Sequence, residues 1–427
     1  MSEELAKLQR ALAADPADIE ARKALGNAYR ASGDLAAAMQ CYRECLARAP
    51  DFEPALYNLG AAAREAGLLD EAEACFQRLC QLAPDDADAR HQLGSLLLEQ
   101  ERPAEAVAPL EAALALQPGH PVLHWMLGAA LASQERLAEA RPHLEKAVAL
   151  EPALDKAWLH LGNVYSLLRL RAEAVRCYLR AHETLAGDPA CTEALLFELQ
   201  HVCDWRRLDG LVEQRRRDVR SGAAPAANPF SFVSICEAPA EQLACGRLFA
   251  APLERRANAL RARLGLRFAA PDRGRRIRLG YLSADFHEHP TAYLAAELFE
   301  LHDRQAFELV AYSYGRDDES PVRQRLRAAF HRFVDLRGMS DADAARAIHR
   351  DGIDILVDLK GYTAGARPGI VALRPAPLQV SYLGYPATLG AAFVDYVVLD
   401  SFIASGATPA DFSEKLVVLP GCYQPND

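Results

Sequence analysis

The residues best suited to chemistry lie in a short polar loop in the second half of the chain. Two histidines, His287 and His289, follow Asp285 in the segment Asp285-Phe-His-Glu-His-Pro-Thr291. A loop histidine can act as a general base near neutral pH. A histidine can also cap the helix that is predicted to start at Thr291. The residues alone leave both roles open.

The two residues after His289 bear on this choice. Pro290 restricts the backbone of His289 to extended conformations, so the ring should be held in a defined place. Thr291 has a side chain that caps helices well. We therefore expect Thr291 to cap the helix and to leave His289 free for chemistry.

A second loop combines cationic side chains with two glycines. It runs Lys360-Gly-Tyr-Thr-Ala-Gly-Ala-Arg367, and its cationic ends and backbone N–H groups could cradle a phosphate. It is not a Walker A motif, because the Gly-Lys-Ser/Thr order is missing, and the chain has no Gly-x-Gly-x-x-Gly fingerprint. A third, turn-rich loop runs from Leu383 to Gly390.

Alternating strands and helices are predicted to position these loops. Strand-like apolar stretches occur at 277–283, 307–314, 353–358, 377–383, 394–399 and 416–419, and helical ones at 291–302, 319–331 and 341–350. This alternation predicts a parallel, doubly wound, Rossmann-like lobe over residues 276–427. Ligands bind such sheets beyond the carboxyl ends of the strands, where all three loops lie.

The first half of the chain repeats every 34 residues. Leu-Gly pairs begin at 25, 59, 93, 127 and 161, alanines recur at 38, 72, 106, 140 and 174, and a large apolar residue follows each alanine by four positions. This pattern is typical of tetratricopeptide repeats. Small residues let two helices approach and the large one fills the gap between them. We predict an α superhelix over residues 1–187.

Such a superhelix has a concave groove that could bind a partner protein or an extended peptide. Asn27, Asn58 and Asn163 lie next to Leu-Gly pairs, where asparagines in some relatives hold a peptide backbone. The other repeats offer a mixed set of residues at comparable positions: Ala61, Gln92, Ser95, Ala129 and His160. The asparagine ladder is incomplete, so ordinary solvated helix positions remain the alternative.

Residues 188–275 are predicted to connect the two halves through helices at 190–220 and 238–266 around a linker at 221–229. Their many arginines could form a basic patch that meets phosphate or an acidic partner, but we expect them to pair with acidic neighbours. The 427 residues are 51% apolar and carry a formal charge of -10, which is typical of a globular protein and does not favour nucleic acid as a partner. No signal peptide, membrane span or metal-binding cysteine spacing is visible, and we expect reduced thiols in the cytoplasm.

Long stretches of the second half resemble a known family. The catalytic region of O-linked N-acetylglucosamine transferases and SPINDLY-type proteins, above all bacterial members, is similar to Gly280–Thr291, Ile348–Arg367, Leu373–Thr388, Asp395–Asp400, Ser413–Leu416 and the connector Cys203-Asp204-Trp205. The resemblance covers about residues 276–427, and upstream tetratricopeptide repeats are usual in that family.

The resemblance implies an inverting glycosyltransferase of the two-lobe GT-B type. It would pass a sugar from a UDP-sugar, expected to be UDP-N-acetylglucosamine, to a Ser or Thr hydroxyl without a cofactor or metal. The family's active-site histidine falls at His289, and a second histidine near it falls at His349. The substrate-binding residues that the resemblance implies are Asp285, Pro290, Thr291, Lys360, Tyr362, Thr363, Arg367, Gly384, Tyr385 and Pro386.

The family continues into a second lobe that supplies most of the nucleotide-sugar site. We expect this chain, which ends at Asp427, to lack that donor lobe, as a fragment or a natural truncation, and to be inactive alone. The rival hypothesis is a non-catalytic tetratricopeptide adaptor whose α/β part only stabilises the repeats. The sequence leaves the sugar and the acceptor protein undecided.

Overall fold

The computed structural model describes residues 2–185, 188–222, 228–268, 274–404 and 408–426. Contacts group the chain into two compact units, residues 1–203 and 204–427. The predicted end of the repeats at Gly187, and most of the predicted linker at 221–229, lie outside the described residues.

The first unit is built from helices. Their bounds are α1 Ser2–Ala14, α2 Ile19–Ala31, α3 Leu35–Arg48, α4 Glu53–Glu65, α5 Leu69–Leu82, α6 Ala87–Glu99, α7 Pro103–Leu116, α8 Pro121–Ala132, α9 Leu137–Leu150, α10 Asp155–Leu167, α11 Arg171–His182 and α12 Pro189–His201. The pairs from α2/α3 to α10/α11 follow the 34-residue period. Helix α12 joins this unit because its buried Glu198 pairs with Arg171 of α11 at 3.0 Å.

The repeated small residues bring the two helices of each pair into contact. The alanines at 38, 72, 106, 140 and 174 are fully buried. A Cβ added to Gly26 would lie 2.6 Å from the Tyr42 ring, and one added to Gly162 would lie 2.5 Å from the Tyr178 ring. The large residue therefore fills the space that the missing side chain leaves, and the predicted packing is confirmed.

The second unit begins with helices and continues as an α/β lobe. Its elements are α13 Trp205–Ser221, α14 Pro229–Val233, α15 Pro239–Leu264, β1 Ile277–Ser283, α16 Pro290–Glu300, β2 Phe307–Ser313, α17 Pro321–Ala329, β3 Arg332–Asp335, α18 Asp341–Arg350, β4 Ile355–Asp358, α19 Pro368–Ala372, β5 Leu378–Ser381, β6 Tyr396–Asp400, α20 Ser401–Ala404 and β7 Lys415–Leu419. Strand β3 and helix α19 were not predicted, because each is too short to show a period.

The described strands form one parallel sheet in the order β3-β2-β1-β4-β5-β6-β7. The first six follow the Rossmann order, whose direction of winding reverses between β1 and β4. Residues of α16 and α17 pack on one face of the sheet, and residues of α15, α18 and α19 pack on the other. The predicted fold class, helical repeats followed by a Rossmann-like lobe, is confirmed.

Three connector arginines pair with acidic side chains, as expected: Arg216 and Arg220 both bind Glu241, and Arg207 binds Asp204. All ten cysteines are free thiols. Among the described helices, none has the length and apolar character that a membrane crossing requires.

Candidate active site

The loops after β1 and β4 meet at the point where the sheet reverses its winding, through a buried ion pair. The Nζ of Lys360 lies 3.0 Å from both carboxylate oxygens of Asp285, and both side chains are 7% exposed. Leu282 of β1 is aligned with Asp358 of β4, so residues just beyond these two strands must lie close together. Each charge offsets part of the desolvation cost of the other.

His289 joins this pair from the start of α16. Its Nδ1 lies 3.6 Å from Oδ2 of Asp285, and its side chain is 37% exposed. Its backbone is extended, with φ -152° and ψ 147°, as the following Pro290 predicts. The structure therefore places a partly exposed imidazole beside a buried carboxylate at the ligand-binding edge of the sheet.

The capping of α16 differs from our expectation. His289 is the N-cap residue, and its Nδ1 accepts a hydrogen bond from the backbone N–H of Thr291 at 3.2 Å. The prediction that Thr291 caps this helix was wrong, because Pro290 occupies the first helical position and the residue before it becomes the cap. The Thr291 hydroxyl instead donates to Oδ2 of Asp285 at 3.5 Å.

Capping sets the tautomer of His289. A ring nitrogen that accepts a hydrogen bond carries no proton, so the neutral ring then holds its proton on Nε2. Burial lowers the pKa of His289; Asp285 opposes this effect and Lys360 adds to it. The imidazole is therefore mainly neutral at pH 7, which is the form that a general base requires.

Asp358 anchors the turn that carries Lys360. Its buried carboxylate accepts hydrogen bonds from the N–H groups of Lys360, at 3.1 Å, and of Gly361, at 3.0 Å. Burial nevertheless raises the pKa of Asp358 to about 6. Gly361 has φ +55°, and a Cβ there would lie 2.5 Å from that of Tyr385, so this turn requires glycine.

The loop between β2 and α17, together with the start of α17, supports the loop that carries His289. Asp318 accepts a hydrogen bond from the N–H of Glu288 at 2.7 Å, and the buried Arg323 donates to the carbonyl of Phe286 at 2.6 Å. Sequence reasoning missed both residues. The available signal was their place after β2, since β2 is the neighbour of β1 in a Rossmann sheet.

The predicted second histidine lies elsewhere. Helix α18 ends just before β4 begins, so His349 is at the amino edge of the sheet, opposite to the edge that carries His289. Its ring packs edge-on against Phe268, with centroids 5.2 Å apart, and its buried Nδ1 has no hydrogen-bond partner among the residues that the structure describes. The prediction that His349 lies near His289 was wrong, because a helix between parallel strands returns the chain to the other edge.

The predicted phosphate cradle has both of its cations paired within the lobe. Lys360 binds Asp285, and Arg367 binds Asp341 at 2.6 Å while donating to the carbonyls of Leu336 and Met339. Neither cation is therefore available to a phosphate without breaking an ion pair. Across the described ranges, no three His, Cys, Asp or Glu side chains converge as a metal ion would require.

Two predicted substrate-binding tyrosines belong to the core. Tyr362 is 4% exposed and Tyr385 is 2% exposed, with their ring centroids 5.7 Å apart. Tyr362 also packs against Phe249 of α15. Neither ring lies open at the edge of the sheet, because the apolar rings are more stable between α15 and the sheet than in water.

The remaining predicted residues shape the loops. A Cβ on Gly384 would overlap the carbonyl oxygen of Leu359, so glycine is required where the two chain segments cross. The Thr363 hydroxyl donates to the carbonyl of Lys360 at 2.9 Å, and Pro386 is exposed. Of this group, Pro386 is the side chain most open to a ligand.

In the repeat unit, a groove of about 1230 Å³ crosses the helix pairs. All five non-asparagine positions that the repeat register picked out line it: Ala61, Gln92, Ser95, Ala129 and His160. Tyr57 and Trp125 add aromatic faces. The repeat register therefore located the groove, although its chemistry is mixed.

The three predicted asparagines are bound to other side chains of the unit. Oδ1 of Asn27 accepts hydrogen bonds from the Tyr42 hydroxyl at 2.7 Å and from Nδ2 of Asn58 at 2.9 Å. Asn163, which is exposed, accepts one from Tyr178 at 2.8 Å. Asn27 and Asn58 line a smaller pocket that shares wall residues with the groove.

The fold and the site define a tetratricopeptide-type array followed by a Rossmann-type lobe with a polar cluster at its ligand-binding edge. Tetratricopeptide repeat models match residues 19–62, 52–118 and 91–155. Residues 256–427 match the model described as glycosyl transferase family 41. The lobe is thus similar to glycosyltransferase family 41, and the predicted resemblance is confirmed.

Curated relatives carry matching names. The chain is 36% identical over 246 residues to the "Probable UDP-N-acetylglucosamine–peptide N-acetylglucosaminyltransferase SEC" of Arabidopsis thaliana, covering 55% of this chain and 25% of that protein. It is 42% identical over 151 residues to the UDP-N-acetylglucosamine–peptide N-acetylglucosaminyltransferase of Caenorhabditis elegans, covering 35% of this chain and 13% of that protein. The chain spans a quarter or less of the length of these relatives.

A solved structure titled as a mutant of the Thermobaculum terrenum O-GlcNAc transferase is 27% identical. The match covers 87% of this chain and 58% of that chain, with a TM-score of 0.36. A tetratricopeptide protein named YrrB, described as having an unusual peptide-binding site, is 20% identical over 44% of this chain and 96% of that chain, with a TM-score of 0.40.

Proposed function

We propose that this chain is part of a protein O-N-acetylglucosamine transferase. The donor is UDP-N-acetylglucosamine and the acceptor is a Ser or Thr hydroxyl of a protein. The family 41 match and the names of the relatives support this proposal. The observation that carries it is the cluster of Asp285, His289 and Lys360. This cluster holds a neutral imidazole at the carboxyl edge of the strands, where sheets with the Rossmann strand order bind ligands.

In the proposed reaction, His289 assists the attack of the acceptor hydroxyl on the anomeric carbon. The hydroxyl is a weak nucleophile until its proton is removed. Nε2 takes this proton as the new O–C bond forms, while the bond from the anomeric carbon to the diphosphate breaks and UDP leaves with the electron pair. Attack opposite to the leaving group inverts the configuration.

This role requires a change of tautomer. Nε2 can accept a proton only when the ring proton lies on Nδ1, the nitrogen that faces Oδ2 of Asp285 at 3.6 Å. A closer approach of about 0.8 Å would give a charge-assisted hydrogen bond of normal length. Asp285 then stabilises the imidazolium that forms as the acceptor loses its proton.

The repeat unit holds the acceptor in this proposal. Its groove offers the aromatic faces of Tyr57 and Trp125 and the hydrogen-bonding groups of Gln92 and His160 to an extended chain. A cytoplasmic location is part of the proposal, supported by ten free thiols, since disulfides are rare in reducing compartments.

The test is transfer of labelled N-acetylglucosamine to a Ser/Thr peptide by the complete gene product. His289→Asn is the sharpest variant, because asparagine preserves the helix cap but cannot take the proton. We expect kcat to fall by roughly 10²-fold or more. His287→Asn, two residues away in the same loop, is the matched control and should change kcat far less. Equal rates in the two variants would reject the proposed role.

The alternative function is a non-catalytic tetratricopeptide adaptor. The pairing of Lys360 with Asp285 and of Arg367 with Asp341 favours it, because both loop cations are then explained without a nucleotide sugar. It predicts peptide binding in the groove and no transfer by the unchanged gene product with any UDP-sugar. Detectable transfer that His289→Asn abolishes excludes the adaptor.

A further inference from the structure

We infer that Lys360 is a positioning residue for His289, acting through Asp285, and does not bind the substrate itself. The catalytic meaning of this inference rests on the proposed function. Its basis is the geometry of the ion pair, which holds whether or not the chain takes part in transfer.

The ammonium of Lys360 is held by both oxygens of one carboxylate. Its Nζ lies at the same distance, 3.0 Å, from both oxygens of Asp285, and the side chain is nine-tenths buried. Its backbone is held by Asp358, which binds the N–H groups of Lys360 and Gly361. If this ammonium moved away to a diphosphate, it would leave Asp285 as an unpaired buried carboxylate, which is costly.

Oδ2 of Asp285 is shared among three side chains. Lys360 Nζ lies 3.0 Å from it, the Thr291 hydroxyl 3.5 Å, and Nδ1 of His289 3.6 Å. Lys360 is the nearest partner and carries a full positive charge, so it neutralises the carboxylate. His289 is then left to accept the Thr291 N–H and to cap α16 as a neutral ring.

Removing the ammonium should reverse this arrangement. An unpaired Asp285 carboxylate would attract the imidazole and place a proton on Nδ1, which both raises the charge on His289 and breaks its cap on Thr291. The other charged or titratable groups that act on His289, namely His287 and Arg316, lower its pKa as Lys360 does. Asp285 is therefore the carboxylate through which Lys360 can control the ring.

The test is an NMR pH titration of the imidazole of His289 in the 427-residue chain, assigned by loss of its signal in His289→Asn. In Lys360→Met, we expect the midpoint of His289 to rise by about one pH unit, as for a cationic group beside an unpaired carboxylate. In Asp285→Asn, the midpoint should fall, because Lys360 is then the uncompensated charge.

The double variant Lys360→Met/Asp285→Asn provides the decisive comparison. It removes two charges that cancel each other, so the midpoint should return to that of the unchanged chain. It also buries no unpaired charge, so it remains informative if either single variant fails to fold. Lys415→Met, on the exposed strand β7, is the matched control and should leave the midpoint unchanged.

A midpoint that stays fixed in Lys360→Met, or a double variant that keeps the lowered midpoint of Asp285→Asn, would overturn the inference. The titration needs neither donor nor acceptor. If the midpoints move as expected but His289→Asn transfers sugar normally, the proposed function fails and the positioning role of Lys360 stands. If the midpoints do not move as expected but His289→Asn abolishes transfer, the positioning role of Lys360 is rejected and the proposed function stands.

Discussion

The contacts that stabilise the repeat unit and those that stabilise the α/β lobe join residues at different separations along the chain. In the repeats, a defining contact such as Tyr42 to Asn27 joins residues 15 positions apart. In the lobe, the contact that builds the site joins Lys360 to Asp285, 75 positions apart. A repeat contact depends on one helix pair, whereas the site depends on the order of the whole sheet. A destabilising substitution should therefore affect only neighbouring helix pairs in the repeats, but the whole sheet in the lobe.

The largest effect is expected from Gly315→Ala, where the added Cβ overlaps the carbonyl oxygen of Ala284. Backbone atoms cannot move aside as a side chain can, so we expect a loss of about 3 kcal/mol or more in the free energy of unfolding of the lobe. The measurement is urea unfolding. Gly338→Ala, with open space around the added Cβ, is the control, and equal stability of the two variants would contradict the close approach of these loops.

A smaller effect is expected in the repeats from Ala72→Leu. Ala72 is fully buried where α4 and α5 cross, so a larger side chain should cost about 1–3 kcal/mol. Ala36→Leu, at an exposed position of α3, should cost little. Native-state hydrogen exchange should show the loss of protection confined to neighbouring helix pairs; loss of protection across all the repeats would contradict the local character of this unit.

The pH dependence of the lobe tests its buried carboxylate. Because the folded-state pKa of Asp358 is raised to about 6, its contribution to stability is complete below the unfolded value near 4 and is lost as pH rises through 6. Asp358→Asn should therefore gain up to about 2–3 kcal/mol over the unchanged chain between pH 4 and pH 8. Unfolding curves at both pH values measure this, and a constant difference would show that the carboxylate is not penalised by burial.

The smallest effect is expected in donor binding by this chain. Lys360 and Arg367 are both held in ion pairs, so titration calorimetry with UDP-N-acetylglucosamine should show no micromolar binding. Lys360→Met should leave the result unchanged. Micromolar binding that Lys360→Met removes would show that the ammonium meets the diphosphate and that the lobe offers a donor site of its own.

Sequence reasoning predicted the repeats, the parallel sheet and the loop of His289 because each follows from a local period or from the alternation of elements. It missed β3, whose four residues Arg332–Asp335 show no alternation. It also placed His349 near the site, which was wrong. The resemblance of a sequence stretch to a family does not show which edge of the sheet the end of a helix reaches.

The pairing inside the site was harder to foresee. Asp285 and Lys360 were both expected to bind substrate, yet their contact with each other follows only from the adjacency of β1 and β4. The capping role of His289 follows from Pro290 at the first helical position, where the residue before it must supply the cap. The ion pair is a three-dimensional consequence of the sheet order that no single stretch displays, whereas the cap can be deduced from the His289-Pro290 step itself.

The most direct test of the central claim, a neutral imidazole tuned by a buried ion pair, is the pH profile of kcat/KM for sugar transfer by the complete gene product. We expect the rate to fall with unit slope as pH drops through the pKa of His289, which burial holds below 6.5, and the midpoint to move up by about one pH unit in Lys360→Met. A profile without an acidic limb, or a limb that Lys360→Met leaves in place, would contradict the account.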